Sequence, residues 1–401
     1  GQWGGLIVLG EAGLNSTPGV SSIEGIPTNV PFGQYGGDND ADNSGVITYV
    51  SIRHGGTEIG AGNEINGFTL GGVGSGTTIN NVEVIANMDD GIEFFGGTVS
   101  IQNAMVAGVG DDSYDYDEGW RGQLNSNWVA VASSDDGDRG GEHDGGTDPE
   151  TAQPYATPTI TYATFVGRGV DAGKRALTFR DNAGGNYSNS VFFNYARGVD
   201  VEDLSEGEDS YSRLLSGDLT FTNNVVDCGS NTFVTSQGED LSEYFNANGN
   251  STSSDHGLTW SPSAVSLAGR ADWASWTLAM TSGWVSPGEA VQGDVVVSSN
   301  VTGTAYWTAN NTYHLDGSVF VEPGATLHIE AGTVVKGMPG QGEESSYLCV
   351  AKGAQIFAEG TADAPIIFTF EADPLDGSTP LTTRGQWGGL IVLGEAGLNS
   401  T

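Results

Sequence analysis

Three acidic clusters stand out by residue type and spacing. They are Asp89-Asp90-Gly91-Ile92-Glu93, Asp111-Asp112-Ser113-Tyr114-Asp115-Tyr116-Asp117 and Asp135-Asp136-Gly137-Asp138. Asp89 and Asp111, Asp90 and Asp112, and Glu93 and Asp115 are each 22 residues apart. A repeat of that length would stack these carboxylates, and like charges that close raise one another's pKa or recruit a cation. Two chemistries follow. The first is Ca²⁺ binding, with Asp89, Asp111 and Asp115 as oxygen ligands bracing a ladder of turns, where Asp is also favoured for its own side-chain hydrogen bonds. The second is catalysis on a polysaccharide, with Asp90, Asp111 and Asp112 as acid and base. A Ca²⁺-dependent lyase would instead need an arginine or lysine base, and Arg121, Arg175 and Arg180 qualify by residue type alone. Only three lysines and no catalytic histidine pattern occur, which favours the calcium reading.

A second candidate is the loop Asp38-Asn39-Asp40-Ala41-Asp42-Asn43-Ser44-Gly45. Asp38, Asp40 and Asp42 space oxygen ligands at alternate positions as a Ca²⁺ loop does, but the twelfth position is Tyr49, so this is no EF-hand. His143 in Glu142-His143-Asp144 and His256 beside Asp255 read as turn residues held by hydrogen bonds, and His54 as structural. The run 71–78 (GGVGSGTT) lacks the lysine of a phosphate-binding loop and reads as a corner. Tyr114, Tyr116 and Trp120 beside the acidic ladder suit either stacking on sugar rings or core packing.

The elements that must carry these residues are short β-rich runs separated by Gly, Asn and Asp. Six of them share the frame apolar–x–(Asn/Tyr)–x–x–apolar, centred on Tyr49, Asn81, Asn103, Tyr162, Asn189 and Asn223. An irregular repeat of 20–30 residues with one buried face per strand predicts an all-β solenoid. Stacked coils lie about 4.8 Å apart, so Asn would fall on Asn and form an amide ladder. A large β-sandwich is the alternative. A second block, 313–370, reads as tight coils with glycine corners. Residues 270–284 (RADWASWTLAMTSGW) predict the one short helix, its Trp273, Trp276 and Trp284 suited to capping an open end.

Composition agrees. Glycine is 63 of 401 residues, which argues against long helices. The net charge of −38 disfavours nucleic acid and anionic membranes as partners. Acid excess with ten arginines and three lysines suits a high-salt or Ca²⁺-containing milieu, or an ordinary acidic secreted protein. Cys228 and Cys349 suggest no disulfide framework. No apolar stretch approaches the roughly 20 residues of a membrane span.

One feature is internal repetition. Residues 385–401 copy residues 1–17 (GQWGGLIVLGEAGLNST) without a substitution, leaving 384 unique residues. The phrases TLHIEAGTVVKG, AEGTADAPIIFT, RGQWGGLIVLGEA, YGGDNDADNSGVITYVSIRHGG, GNEINGFTLGGVGSGTTINNVEVIANMDDGIEFFGGTV and DWASWTLAM resemble a family of secreted bacterial proteins of Bacteroidota and related marine or halophilic groups. That resemblance implies a right-handed parallel β-helix of the pectate-lyase-like superfamily, which holds lyases, hydrolases, adhesins and fibres. The acid–base reading of Asp90, Asp111 and Asp112 likewise resembles the polygalacturonases. The family order places the 313–337 coils first and the Trp-rich helix last, so the unit is expected to run from about Val291 to Thr401, re-enter at Gly1 and finish near Trp284. The expected organisation is main coils with cap over 1–284, a junction over 285–312 and the next unit's initial coils over 313–401. The function expected is a head-to-tail homopolymer forming an extracellular filament or sheath, with polysaccharide cleavage or binding as alternatives.

Overall fold

The computed structural model describes residues 3–16, 19–24, 26–57, 65–146, 149–229, 232–288, 293–362 and 364–394. Residues 289–292 of the expected junction lie outside these, as do the outer ends of the repeated segment, 1–2, 17 and 395–401. The chain forms two compact units, 1–289 and 290–401.

The first unit is a parallel β-helix. One sheet stacks eight parallel strands in the order Leu6–Leu9, Phe68–Gly71, Ile92–Phe95, Tyr114–Asp117, Gly141–Asp144, Arg175–Arg180, Arg197–Val201 and Phe233–Thr235. The other wall begins with the long strands Val46–Arg53, Thr78–Ile85, Ile101–Ala107 and Asn125–Val131, then continues as pairs of shorter ones. The frame residues found in the sequence, Tyr49, Asn81, Asn103, Tyr162, Asn189 and Asn223, all adopt φ between 53 and 58°, and so does Asn127, which the frame did not include. Asparagine tolerates this left-handed conformation better than other non-glycine residues, which explains its place in the frame. The amide ladder is partly present. Asn127 Nδ2 donates to Asn103 Oδ1 at 2.9 Å, and Asn103 Nδ2 donates to Asn80 Oδ1 at 3.0 Å.

Inward rows of the eight-stranded sheet fill the core. Phe68, Ile92, Tyr114, Leu177, Val199 and Phe233 line one row, and Leu70, Phe94, Tyr116, His143, Phe179 and Val201 the next. Aromatic rings stack between coils, as Tyr114 does on Trp128 at 4.5 Å. The helix Ser242–Ala247 covers the last coil, with Phe245 buried 5.5 Å from Phe233. The expected helical segment near 270–284 is present, as a 3₁₀ turn over Asp272–Trp276 and a helix over Leu278–Thr281, but it is not the one helix, since Ser210–Ser216 and Ser242–Ala247 are helical too. It covers a flank, not an end: Ala274 and Ala279 pack on the outward residues Ile85, Met105, Ala107, Val129 and Val131. Those positions are apolar although they face away from the helix interior, so they demand a cover. The buried Glu83 carboxylate fastens it, accepting hydrogen bonds from the backbone N–H of Leu278 at 3.0 Å and Ala279 at 2.9 Å.

The second unit has three parallel sheets. They are Gly293–Val297, Asn311–Leu315, Val334–Gly337 and Ile367–Phe370; Thr304–Trp307, Thr326–Ile329 and Gln355–Ala358; and Ser318–Val321, Tyr347–Val350 and Gly389–Val392. The expected junction over 285–312 is therefore not a linker throughout. Val285–Ser286 closes a small sheet of the first unit, while Gly293–Val297 and Thr304–Trp307 begin the second. Cys228 and Cys349 are free thiols.

Candidate functional site

The outward face of the eight-stranded sheet carries the acidic clusters. Register pairs Thr69 with Glu93, Glu93 with Asp115, Asp115 with Glu142, Glu142 with Thr178 and Thr178 with Asp200. A second row is set by the strand-entry hydrogen bonds. Gly67 N–H donates to the Asp90 carbonyl, Gly91 to Asp112, Ser113 to Arg139 and Gly140 to Arg175. Asp90, Asp112, Arg139 and Arg175 therefore succeed one another coil by coil. The 22-residue spacing read from the sequence is the length of one coil here.

These carboxylates converge. Oxygen atoms of Asp90, Glu93 and Asp115 lie within 4.8 Å of one another, and the same holds for Asp89, Asp90 and Asp111, and for Asp111, Asp112 and Asp138. Ca²⁺–oxygen bonds of about 2.3–2.6 Å would let each trio reach one ion. Asp90, Glu93 and Asp112 are buried. Burial pushes the pKa of Asp90 well up, with Asp112 and Asp89 adding to it, and burial followed by Asp115 does the same to Glu93. Asp115 is raised by burial and then by Asp90, and its Oδ1 is buried with no hydrogen-bond partner. Asp112 is raised by burial and Glu142, against the pull of Arg139. The Asp90–Glu93–Asp115 donor set, hard oxygens around an orphaned buried atom, fits Ca²⁺.

Cations sit at the next coils and are already engaged. Arg139 Nη1 lies 3.2 Å from Asp112, 3.0 Å from Asp138 and 3.1 Å from Glu142. Arg175 pairs with Asp200 at 2.7 Å, and Arg180 with Glu142 at 2.8 Å and Asp144 at 2.9 Å. Burial works to lower the Arg139 pKa, but Asp112 and Glu142 outweigh it and hold the guanidinium charged. The hydrogen bond from Arg180 to Asp144 raises its pKa too. Arginines held this way are poor proton acceptors.

The other sequence candidates fall elsewhere. Asp38, Asp40 and Asp42 form no converging trio among the described residues. Asp40 accepts from Gly13 N–H at 3.0 Å and pairs with Arg121 at 3.2 Å, while Asp42 accepts from Ser44 Oγ at 3.0 Å. This loop is a hydrogen-bonded bracket between coils, and it draws Arg121 away from the sheet face. Tyr114, Tyr116 and Trp120 are core residues. Tyr116 OH donates to the Gly184 carbonyl at 2.7 Å, and Trp120 Nε1 to Val99 at 3.0 Å. His143 lies on a strand rather than in a turn, buried 2.8 Å from Tyr187 OH, and burial lowers its pKa to about 3. His256 is held as expected, 3.0 Å from Asp227. Sequence reasoning missed Glu142, Asp144 and Arg139 as members of the face, because insertions make the step from Asp115 to Glu142 longer than 22 residues. It also missed Glu24, which reaches the face from a loop and accepts from Asn66 Nδ2 at 2.9 Å.

A family model described as a pectate-lyase like beta helix domain matches residues 1–278 and 299–401. No curated protein and no solved structure matches the chain. No described helix is long and apolar enough to cross a membrane.

Proposed function

Since the chain belongs to the pectate-lyase-like β-helix family, we propose that it serves as a structural β-helix, repeated end to end into an extracellular filament, sheath or surface fibre and braced by calcium. The observation that carries this reading is the repeated segment, which forms a coil strand of a parallel sheet in both units, Leu6–Leu9 and Gly389–Val392. A structure built by repetition needs such an interchangeable coil. Calcium would be held by Asp90, Glu93 and Asp115, with Asp89 and Asp111 at its edge, and would replace the protons that these buried carboxylates otherwise need. Extracellular Ca²⁺ levels suit weak sites of this kind. Electron microscopy of the purified chain with Ca²⁺ should show extended particles with a regular axial repeat. Dispersed monomers alone would refute the reading.

Polysaccharide binding or cleavage is the second reading, favoured by the outward-facing carboxylates on a helix of this family. The ion-paired state of Arg139, Arg175 and Arg180 weighs against a lyase base and towards binding, in which a calcium ion would bridge protein and glycan carboxylates. In a hydrolase Asp112, kept protonated by burial, would be the acid. Incubation with uronate- and hexose-containing polymers checks this. Release of new sugar ends that Asp90→Asn and Asp112→Asn abolish would support cleavage, and retention on a glycan array without release would support adhesion.

A further inference from the structure

The β-helix of the first unit presents three outward surfaces of different chemistry. The eight-stranded sheet carries the acidic row through Glu93, Asp115, Glu142 and Asp200. The second halves of the long strands carry the apolar row of Ile85, Ala107 and Val131, roofed by the flank cover. The first halves carry neither. Register there sets Asn80, Gln102, Ser126, Thr161, Ser188 and Thr222 in one row. The parallel row two residues earlier runs from Thr78 through Ser100 and Leu124 to Thr220 and is uncharged too. The residues between the two rows, Ile79, Ile101, Ile160, Tyr187 and Phe221, are buried, so by alternation both rows face outward. Charged side chains are the ordinary way to keep such a face soluble. In a chain with 51 acidic residues, two adjacent rows without one charge call for a reason.

A groove of about 470 Å³ opens over this face, lined by Thr78, Asn80, Ser100, Gln102, Gln123 and Leu124. The one charged residue in its lining is Arg121, already engaged by Asp40 at 3.2 Å and the Gly119 carbonyl at 2.6 Å. Some of its polar groups are held in place and others are open to a ligand. Asn80 Oδ1 accepts from Asn81 Nδ2 at 2.9 Å and from Asn103 Nδ2 at 3.0 Å. The amide ladder thus fixes the Asn80 side chain, while its own Nδ2 donates to no described residue. Gln102 and Thr78 are exposed, and their side chains make no hydrogen bond among the described residues. Leu124 is 69% exposed beside them. The strands beneath are paired on both sides: Thr78–Ile85 with Val46–Arg53 and Ile101–Ala107, and Asn125–Val131 with Ile101–Ala107 and Thr159–Thr161. A binding surface already ordered in this way loses little freedom when a ligand arrives.

We infer that this groove binds an uncharged, extended polysaccharide laid along the helix axis. Sugar hydroxyls both donate and accept, and amide and hydroxyl side chains answer both roles with no charge to desolvate. A polyanionic glycan would meet the field of a chain of net charge −38 and find the groove's single cation occupied. A polycation would be drawn to the acidic wall instead. Successive coils lie about 4.8 Å apart, close to the length of one hexose in an extended glycan. Consecutive sugars along the axis therefore meet Asn80 and then Gln102, one coil after another. Leu124 offers an apolar contact to the C–H face of a ring. The volume is that of an ordinary small-ligand site. The groove lies on a different wall from the carboxylates, uses no calcium and stands apart from the end-to-end reading.

Calorimetric titration of the full chain, with calcium chelated, tests this against cellohexaose, mannohexaose, xylohexaose, chitohexaose and laminarihexaose. At least one should bind, and neither high salt nor an excess of polygalacturonate should weaken it. Gln102→Ala with Leu124→Ala, two exposed side chains, should lower the affinity about tenfold or more while the circular dichroism stays unchanged. Asn80→Asp keeps the acceptor of the amide ladder but loses the outward donor, and it should weaken binding as well. Failure of all five sugars to bind overturns the inference. So does binding that salt or polygalacturonate removes, which would place the sugar on the acidic wall, and so does wild-type affinity in the folded double variant. Fibre formation is scored on the same preparations. Fibres without sugar binding would overturn this site and leave the filament reading standing, and sugar binding without fibres would do the reverse.

Discussion

His143 offers a quantitative test of how the core is built. Its ring lies in the inward row between Tyr116 and Phe179, stacked 4.0 Å from Tyr116, fully buried and 2.8 Å from Tyr187 OH. Burial lowers its pKa from 6.5 to about 3. A group whose folded pKa is depressed in this way stays neutral in the native state while the unfolded chain takes up a proton. Stability is therefore full above the unfolded pKa and falls as the pH drops from about 6.5 towards 3. Linkage puts the loss at about 2 kcal/mol between pH 7.5 and pH 5, and about 5 kcal/mol if the whole window is crossed. The raised carboxylates act in the opposite direction, since Asp90, Glu93, Asp112 and Asp115 bind protons more readily in the folded state, so the wild-type profile alone is a mixture. The difference between wild type and His143→Phe isolates the histidine. Phe fills the aromatic row but leaves Tyr187 OH without its partner, so the variant should be about 1–3 kcal/mol less stable at pH 7.5. At pH 5 that gap should shrink by about 2 kcal/mol, because the variant no longer titrates. Urea unfolding followed by far-UV circular dichroism at the two pH values measures both numbers. A stability difference that does not change with pH would refute the neutral buried imidazole.

Three further outcomes are expected. Ca²⁺ at a hundredfold excess over its dissociation constant should stabilise the wild type by about 2.7 kcal/mol at pH 7, and Glu93→Gln with Asp115→Asn should abolish that shift. Without Ca²⁺ the double variant should match or exceed wild-type stability, and it should lose the gain that the wild type shows as the pH falls through the raised carboxylate pKa values; melting with and without a chelator checks both. Glu83→Ala removes the acceptor for the Leu278 and Ala279 N–H groups from a buried site, so it should cost about 3 kcal/mol and loosen the flank cover, seen as a shifted tryptophan emission from Trp273 and Trp284. Asn127→Ala should cost about 1–2 kcal/mol in chemical unfolding because its φ is 57°, whereas Asn127→Gly should cost much less.

The sequence by itself determined the coil. The frame around Asn81, Asn103, Asn189 and Asn223 is local, because a left-handed corner is a property of one residue and its neighbours, and the 22-residue step carried over directly into strand register. Repetition of GQWGGLIVLG was equally legible, being identity of letters. What the sequence could not decide was anything set by contacts between coils of unequal length. Arg139, Glu142 and Asp144 join the acidic face only because an insertion is absorbed between Asp115 and Gly141, so their spacing hides their neighbours. Tyr114 and Tyr116 sit beside the acids in the chain but on the opposite side of the sheet, because alternate residues of a strand point apart, and Trp120 is buried in the same core from just beyond the strand. The Trp-rich segment was recognisable as a cover, yet whether it closed an end or a flank depended on the outward apolar rows of Met105, Val129 and Val131, which only the stacked coils assemble.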